Sequence, residues 1–171
     1  PKSYGSILCF LLFEFYVITR KSNAFFPRIN EPNKHELEST SIQIGKTAIQ
    51  LIRFGQNNEA IKFLKLAVKL NPKEKELWTT LADAQLNANK HNQALSALTK
   101  AIKLKPIEEK TYFKKASIYI YLNNPHTAKS IIKKGLSINK NNERGYFQLG
   151  NTEIMLKNYK LALIAFRKSS K

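Results

Sequence analysis

The tripeptide Gly45-Lys46-Thr47 has the residue types with which a phosphate-binding loop ends. In such a loop backbone amides hold the phosphates, and a further glycine stands five residues before the Gly-Lys pair, after a strand. Here that position is Thr40, and a polar segment precedes it instead of a strand. We therefore predict that the tripeptide belongs to the start of a helix and binds no nucleotide.

The remaining titratable residues lack a spacing that would support catalysis or metal binding. Asp83 is the sole aspartate, and His35, His91 and His126 do not stand at metal-ligand spacing from one another or from a carboxylate. Cys9 is the sole cysteine, so no disulfide framework or cysteine-based metal site can form within the chain. We interpret the histidines as solvated turn residues and predict a protein that is not an enzyme and has no cofactor and no metal.

The charge of the chain is strongly positive. Lys and Arg total 29 against 12 Asp and Glu, a formal net charge of +17. Such an excess favours nucleic acid, an anionic membrane surface or an acidic protein as partner. Lysine greatly outnumbers arginine, and Asn and Ile are also abundant, so an AT-rich genome would explain much of the charge.

The N-terminal segment predicts a targeting sequence. Residues 1–24 contain a short apolar run interrupted by Glu14, and they end in the small residues that precede a signal-peptidase site. We predict a signal peptide cleaved after Ala24, with an uncleaved membrane anchor or a first helix of the fold as alternatives. Residues 25–40 carry prolines and turn formers and are predicted to be a linker. The protein is accordingly expected to be exported or membrane-associated, in periplasm, thylakoid or envelope, or cytoplasmic if the segment is not a signal.

After residue 40 the sequence repeats itself. Ala60, Ala94, Ala128 and Ala162 are each separated by 34 residues, and each opens a similar apolar pattern. Apolar residues recur at three- and four-residue spacing throughout, which indicates helices. A fixed period of this length is typical of stacked helix pairs, none of which can bury its apolar face alone.

The period and the residue types resemble the tetratricopeptide repeat family. That family has a large residue at position 4 of each repeat and small residues at positions 8, 20 and 27. The second repeat matches best, with Trp78, Ala82 and Ala94 among the matching residues. The resemblance implies an all-α, right-handed α-solenoid over residues 41–171. Its repeats are 41–74, 75–108, 109–142 and a truncated 143–171.

The pattern also predicts where helices begin and end. Thr40 with Gln43 predicts a capping box for the first helix. Asn71-Pro72 and Asn124-Pro125 each predict a cap followed by proline at the first helical position. The predicted helices lie near 41–54, 58–70, 75–88, 92–104, 109–121, 125–137, 143–156 and 159–170.

The resemblance further implies a function without catalysis. Proteins of this family hold a peptide or helix of a partner on a concave surface, which is lined by the first helix of each repeat. With its basic and aromatic residues, this groove is expected to bind an acidic or amphipathic segment; the alternative is that Phe113 and Phe147 only pack between repeats. The groove residues carried over are Lys46, Arg53, Thr79, Asp83, Lys110, Phe113, Lys114, Tyr121, Arg144, Phe147 and Asn151.

Other functions have weaker support from the sequence. The carboxylate clamp of family members that bind chaperone tails matches only at Lys110 and Lys114, so that activity is not expected. A basic surface that docks on nucleic acid or an anionic membrane is the competing class. The lysines of the second helices are expected to be spread around the solenoid, away from stacking aromatics, which argues against nucleic acid. A targeting segment followed by repeats is also similar to cyanobacterial members of the family, which implies a role in assembling a membrane complex.

Overall fold

The structure is a computed structural model that describes residues 33–170, and within that range it is all-α. The predictions for residues 1–24 and for the first part of the linker lie outside the described residues. None of the helices in the described part is both long and apolar enough to cross a membrane. The helices are α1 (Lys34–Arg53), α2 (Asn57–Leu70), α3 (Lys75–Asn87), α4 (His91–Leu104), α5 (Glu109–Tyr121), α6 (Pro125–Ile138), α7 (Glu143–Met155) and α8 (Tyr159–Ser169).

The helices form a solenoid of four stacked pairs. Each odd-numbered helix packs on the helix that follows it, and each pair then packs on the next through its second helix. The first helices of neighbouring pairs also touch, as α1 does α3 and α5 does α7. The predicted boundaries agree with the structure to within one residue, except at the start of α1.

The first helix begins seven residues earlier than predicted. Its capping box is made by Asn33 and Glu36: the Glu36 amide donates to the Asn33 side chain at 2.9 Å, and the Asn33 amide donates to the Glu36 carboxylate at 3.0 Å. The predicted box at Thr40 is therefore wrong, and residues 34–40 of the predicted linker are helical. This extension is mostly exposed, so it carries no apolar period by which the sequence could have revealed it.

Each first helix ends in the same hydrogen-bonded turn. The residue after the C-cap has a positive φ, of 75° at Gly55, 58° at Asn89, 53° at Asn123 and 61° at Lys157. The amide of the following residue bonds back five residues into the helix, as from Lys90 to the Gln85 carbonyl, which is a Schellman motif. Glycine and asparagine adopt this left-handed conformation readily, whereas lysine does not.

The two proline signals have different outcomes. Asn124 caps α6 through the Thr127 amide, with Pro125 at the first helical position, as predicted. Asn71 instead ends α2, and Pro72 lies in the turn before α3, so that cap prediction is wrong. The Pro72 carbonyl accepts a hydrogen bond from the Trp78 indole at 2.8 Å.

The buried core residues recur with the 34-residue period of the repeat. Ala60, Ala94 and Ala128 are fully buried, and their small side chains let neighbouring helices approach closely. Three large side chains at one repeat position fill the space between helices without any exposure: Leu64, Leu98 and Ile132.

Candidate functional site

The tripeptide that resembled a phosphate loop lies in the middle of α1, not at its start. Gly45 is buried, and a Cβ there would lie 2.7 Å from the Leu77 side chain. The Thr47 hydroxyl donates to the Gln43 carbonyl at 3.1 Å. The backbone amides therefore serve the helix, and Lys46 is simply an exposed helical lysine.

The predicted groove residues fall into three exposure classes. Phe113 is buried, whereas Thr79, Asp83, Lys114 and Asn151 are partly exposed. The remaining six are exposed: Lys46, Arg53, Lys110, Tyr121, Arg144 and Phe147.

Phe113 is only 3% exposed, because its ring is enclosed by neighbouring helices. Its ring lies against two glycines, one on α6 and one on α7: a Cβ at Gly135 would lie 2.7 Å from the ring, and a Cβ at Gly145 only 2.5 Å from it. Phe113 therefore joins the third and fourth repeats, and its assignment to the groove is wrong. Phe147 stands at the same repeat position but is 54% exposed, with its ring 5.8 Å from that of Phe166.

Two predicted groove residues neutralise each other. The Lys114 ammonium donates to both carboxylate oxygens of Asp83, at 2.8 and 2.6 Å, which bridges α5 and α3. Gln148 makes a similar connection one repeat later, since its side-chain amide donates to the Ser117 hydroxyl at 2.6 Å. These bonds tie neighbouring first helices together and leave Lys114 less available to a partner than the sequence suggested.

Tyr121 lies at the end of α5 and is 71% exposed. Its ring centroid is 4.7 Å from that of His91, the first residue of α4. The Nδ1 atom of His91 is buried and has no hydrogen-bond partner in the described part of the chain. His91 is therefore not the solvated turn residue that was predicted, whereas His35 and His126 are exposed.

A charged cluster joins the second and third repeats. The Lys75 ammonium lies 2.8 Å from both carboxylate oxygens of Glu108, which also accepts a bond from the Thr111 hydroxyl at 2.7 Å. Hydrogen bonds from Lys75 and Thr111 lower the pKa of Glu108, although burial opposes this. Burial by itself would lower the pKa of Lys75, but the bonds to Glu108 and Glu76 outweigh it and raise that pKa.

A second cluster surrounds a buried carboxylate on α7. Glu153 is 3% exposed and accepts hydrogen bonds from Lys129 at 3.0 Å and from Asn158 at 2.9 Å. Burial raises the pKa of Glu153, but these two donors and the positive charge of Lys129 lower it below its ordinary value. Both clusters are structural, because their members bond to one another. Within residues 33–170, no three His, Cys, Asp or Glu side chains are grouped to hold a metal ion.

Two family models match the chain, and both describe the tetratricopeptide repeat. One covers residues 51–108 and the other residues 109–142, together more than half of the sequence. No curated protein matches the sequence significantly.

Solved structures show the same fold. A crystal structure of MamA protein is 24% identical with a TM-score of 0.70, over 75% of this chain and 70% of that one. MamA from Desulfovibrio magneticus RS-1 is 17% identical with a TM-score of 0.69, over 75% and 73% of the two chains. A thermophilic TPR protein of Thermus thermophilus, TTC0263, is 20% identical with a TM-score of 0.63, over 75% and 72%. The chain therefore belongs to the tetratricopeptide repeat family, whose solenoids serve as protein–protein interaction scaffolds.

Proposed function

We propose that this scaffold binds an acidic, amphipathic segment of a partner protein on the exposed residues of α5 and α7. The observation that carries the proposal is that an aromatic ring and two cations are exposed on two first helices that touch each other. Lys110 and Arg144 stand at the same position of successive repeats, and Phe147 follows Arg144 by three residues on one helix face. Within residues 33–170, neither cation has a carboxylate within 4.0 Å.

The chemistry of these residues selects the class of partner. Packed helices lie about 8–10 Å apart, so the two cations can engage successive acidic side chains of one bound segment. Phe147 offers apolar area that is half exposed before binding. Burying such an aromatic ring gives affinity, while the rim charges give orientation and association rate.

A peptide-binding experiment tests this proposal. The probe is a fluorescent helical peptide with Glu on one face and Leu on the other, and the readout is anisotropy. Lys110→Glu with Arg144→Glu should weaken binding about tenfold or more, and Phe147→Ala should weaken it comparably. The control reverses two exposed lysines of second helices, Lys103→Glu with Lys133→Glu, and makes the same change in net charge.

Equal losses of peptide affinity in the two double variants would show that binding depends on net charge alone, and would overturn the proposal. Circular dichroism of each variant checks that the helices are retained. The same variants, used as baits on membranes of the source organism, then identify the natural partner. A role in assembling a membrane complex stays a prediction, since it rests on the N-terminal segment.

A further inference from the structure

The positive charge is concentrated on one class of helix. The four second helices carry eleven Lys and Arg but one acidic residue, Glu59. The four first helices carry eight Lys and Arg and seven acidic residues. The difference in net charge comes mainly from the acidic residues, which lie almost entirely on the first helices, and a genome-wide preference for lysine codons does not explain it.

A cleft of about 360 Å³ lies among these second helices. We call it the outer cleft; its sides are α2 and α4 and its floor is α3. Three lysines, Lys65, Lys69 and Lys100, line it together with Trp78 and Gln85. The outer cleft is formed by different residues from the groove of α5 and α7, so it is a separate site.

The three lysines of the outer cleft have no acidic partner. Among the residues described, no carboxylate lies within 4.0 Å of their ammonium groups. Lys100 instead lies over the Trp78 ring, 4.3 Å from its centroid. Lys168 stands over Tyr146 at 5.3 Å two repeats later, so these lysines do lie beside aromatic rings, contrary to the expectation from the sequence.

Two of the equivalent positions are altered in the later repeats. In the third repeat, Lys115 replaces the cleft-lining Leu81 and donates to the Thr99 hydroxyl at 2.8 Å. In the fourth repeat, Glu153 replaces Gln85 and is bonded to Lys129. At each of these two positions a charged, hydrogen-bonded side chain replaces one that lines the outer cleft, so the cleft is not a simple consequence of the repeat.

We propose that the outer cleft is a second binding site, which takes a short segment of a protein rich in Glu or Asp. The three ammonium groups would bind its carboxylates. Gln85 is 4% exposed, and its Oε1 has no hydrogen-bond partner among the described residues. Rotation of its amide offers either an acceptor or a donor to the backbone of a bound peptide.

The same features disfavour the other anionic partners. A peptide backbone can both donate to and accept from the Gln85 amide, whereas a phosphate group can only accept from it. The face of Trp78 is covered by Lys100 and is not free to stack on a base. Gln85 lies on the floor between two helices, where a flat bilayer surface does not reach.

Trp78 makes the test site-specific, because it is the sole tryptophan of the chain. The probe is a Glu-rich decapeptide, and the matched control peptide has Gln in place of every Glu. Titration with the Glu peptide should change the Trp78 fluorescence saturably, and the Gln peptide should not. Raising NaCl from about 50 mM to about 500 mM should weaken binding strongly, since charge pairs near the surface are screened.

Two triple variants then distinguish binding at the outer cleft from binding to positive charge spread over the surface. Their affinities are measured by anisotropy of labelled peptide, because loss of Lys100 alters the reporter itself. The cleft variant should lose at least about tenfold in affinity, and the control variant should lose less than about threefold. The cleft variant is Lys65→Gln, Lys69→Gln and Lys100→Gln; the control is Lys62→Gln, Lys103→Gln and Lys133→Gln.

Three results would overturn the proposal: equal losses in both variants, no fluorescence change with the Glu peptide, or tighter competition at this site by oligo-dT or by phosphatidylserine vesicles. The last outcome would assign the site to nucleic acid or to membrane. The groove variant, Lys110→Glu with Arg144→Glu, should keep outer-cleft binding apart from a weak long-range effect. Failure of the groove proposal and failure of this one are therefore distinguishable.

Discussion

Phe113 and Phe147 provide a matched pair, because the same residue stands at the same repeat position with opposite exposure. Phe113 is 3% exposed and Phe147 is 54% exposed. Truncating a buried Phe to Ala typically costs about 3–5 kcal/mol. A domain of this size typically has a free energy of unfolding of about 5–15 kcal/mol, so Phe113→Ala should remove much of it. Phe147→Ala removes about half as much buried area and should cost only about 1 kcal/mol.

One of the two glycine neighbours gives a sharper form of the test. In the native chain, a Cβ at Gly135 would lie 2.7 Å from the Phe113 ring and would meet no other side chain within 4 Å among its three nearest atoms, so Gly135→Ala should destabilise by about 1–3 kcal/mol. After Phe113→Ala the ring is gone, and Gly135→Ala should instead stabilise α6 by up to about 1 kcal/mol, because alanine favours a helix over glycine. The predicted coupling between the two sites is therefore about 2 kcal/mol or more, with a change of sign.

Urea unfolding measures this double-mutant cycle. Far-ultraviolet circular dichroism reports the whole solenoid, whereas Trp78 fluorescence reports the second repeat. In Phe113→Ala the circular dichroism transition should begin at lower urea than the fluorescence transition, since each repeat contacts only its neighbours. Additive effects of the two substitutions, or equal costs for Phe113→Ala and Phe147→Ala, would refute this account of the packing.

Three further changes have defined outcomes. Lys157 has a φ of 61°, so Lys157→Gly should stabilise by about 1 kcal/mol in thermal unfolding, whereas Lys157→Ala should give no gain. Burial raises the pKa of Glu153, but the bond from Lys129 contributes to a net lowering below the ordinary value of 4.5. The ionised carboxylate therefore stabilises the folded chain above pH 4.5, and this stabilisation is lost as the pH falls through the folded pKa. Glu153→Gln should be less stable near neutral pH but lose less on acidification, and an unchanged acid transition would contradict this. Asp83→Asn releases Lys114 from its ion pair and should tighten binding of the acidic amphipathic peptide by about two- to fivefold; weaker binding would show that Lys114 does not face the peptide.

Much of the fold could be predicted because its signals are local. A turn needs a residue that tolerates positive φ, and a close helix contact needs a small residue. Both recur every 34 residues, as at Asn89 and Asn123 or at Ala94 and Ala128. The start of α1 escaped prediction because its exposed first turns carry no apolar pattern.

The candidate sites could be predicted only in part. The family pattern places Lys110, Arg144 and Phe147 on first helices, and the structure leaves all three exposed. It says nothing about pairing between repeats, so it did not show that Asp83 neutralises Lys114. The outer cleft was missed because no single segment contains it.

The sequence by itself determined the repeat, the helix boundaries after residue 54 and the positive charge of the chain. Only the tertiary structure decided which side chains remain available for binding. Phe113 is buried because Gly135 and Gly145, on two other helices, leave room for its ring. Lys65, Lys100 and Trp78 line one cleft because α2 and α4 both pack on α3. The physical reason is that a helix follows from neighbours within a few residues, whereas exposure and charge pairing depend on groups that folding brings together from distant parts of the chain.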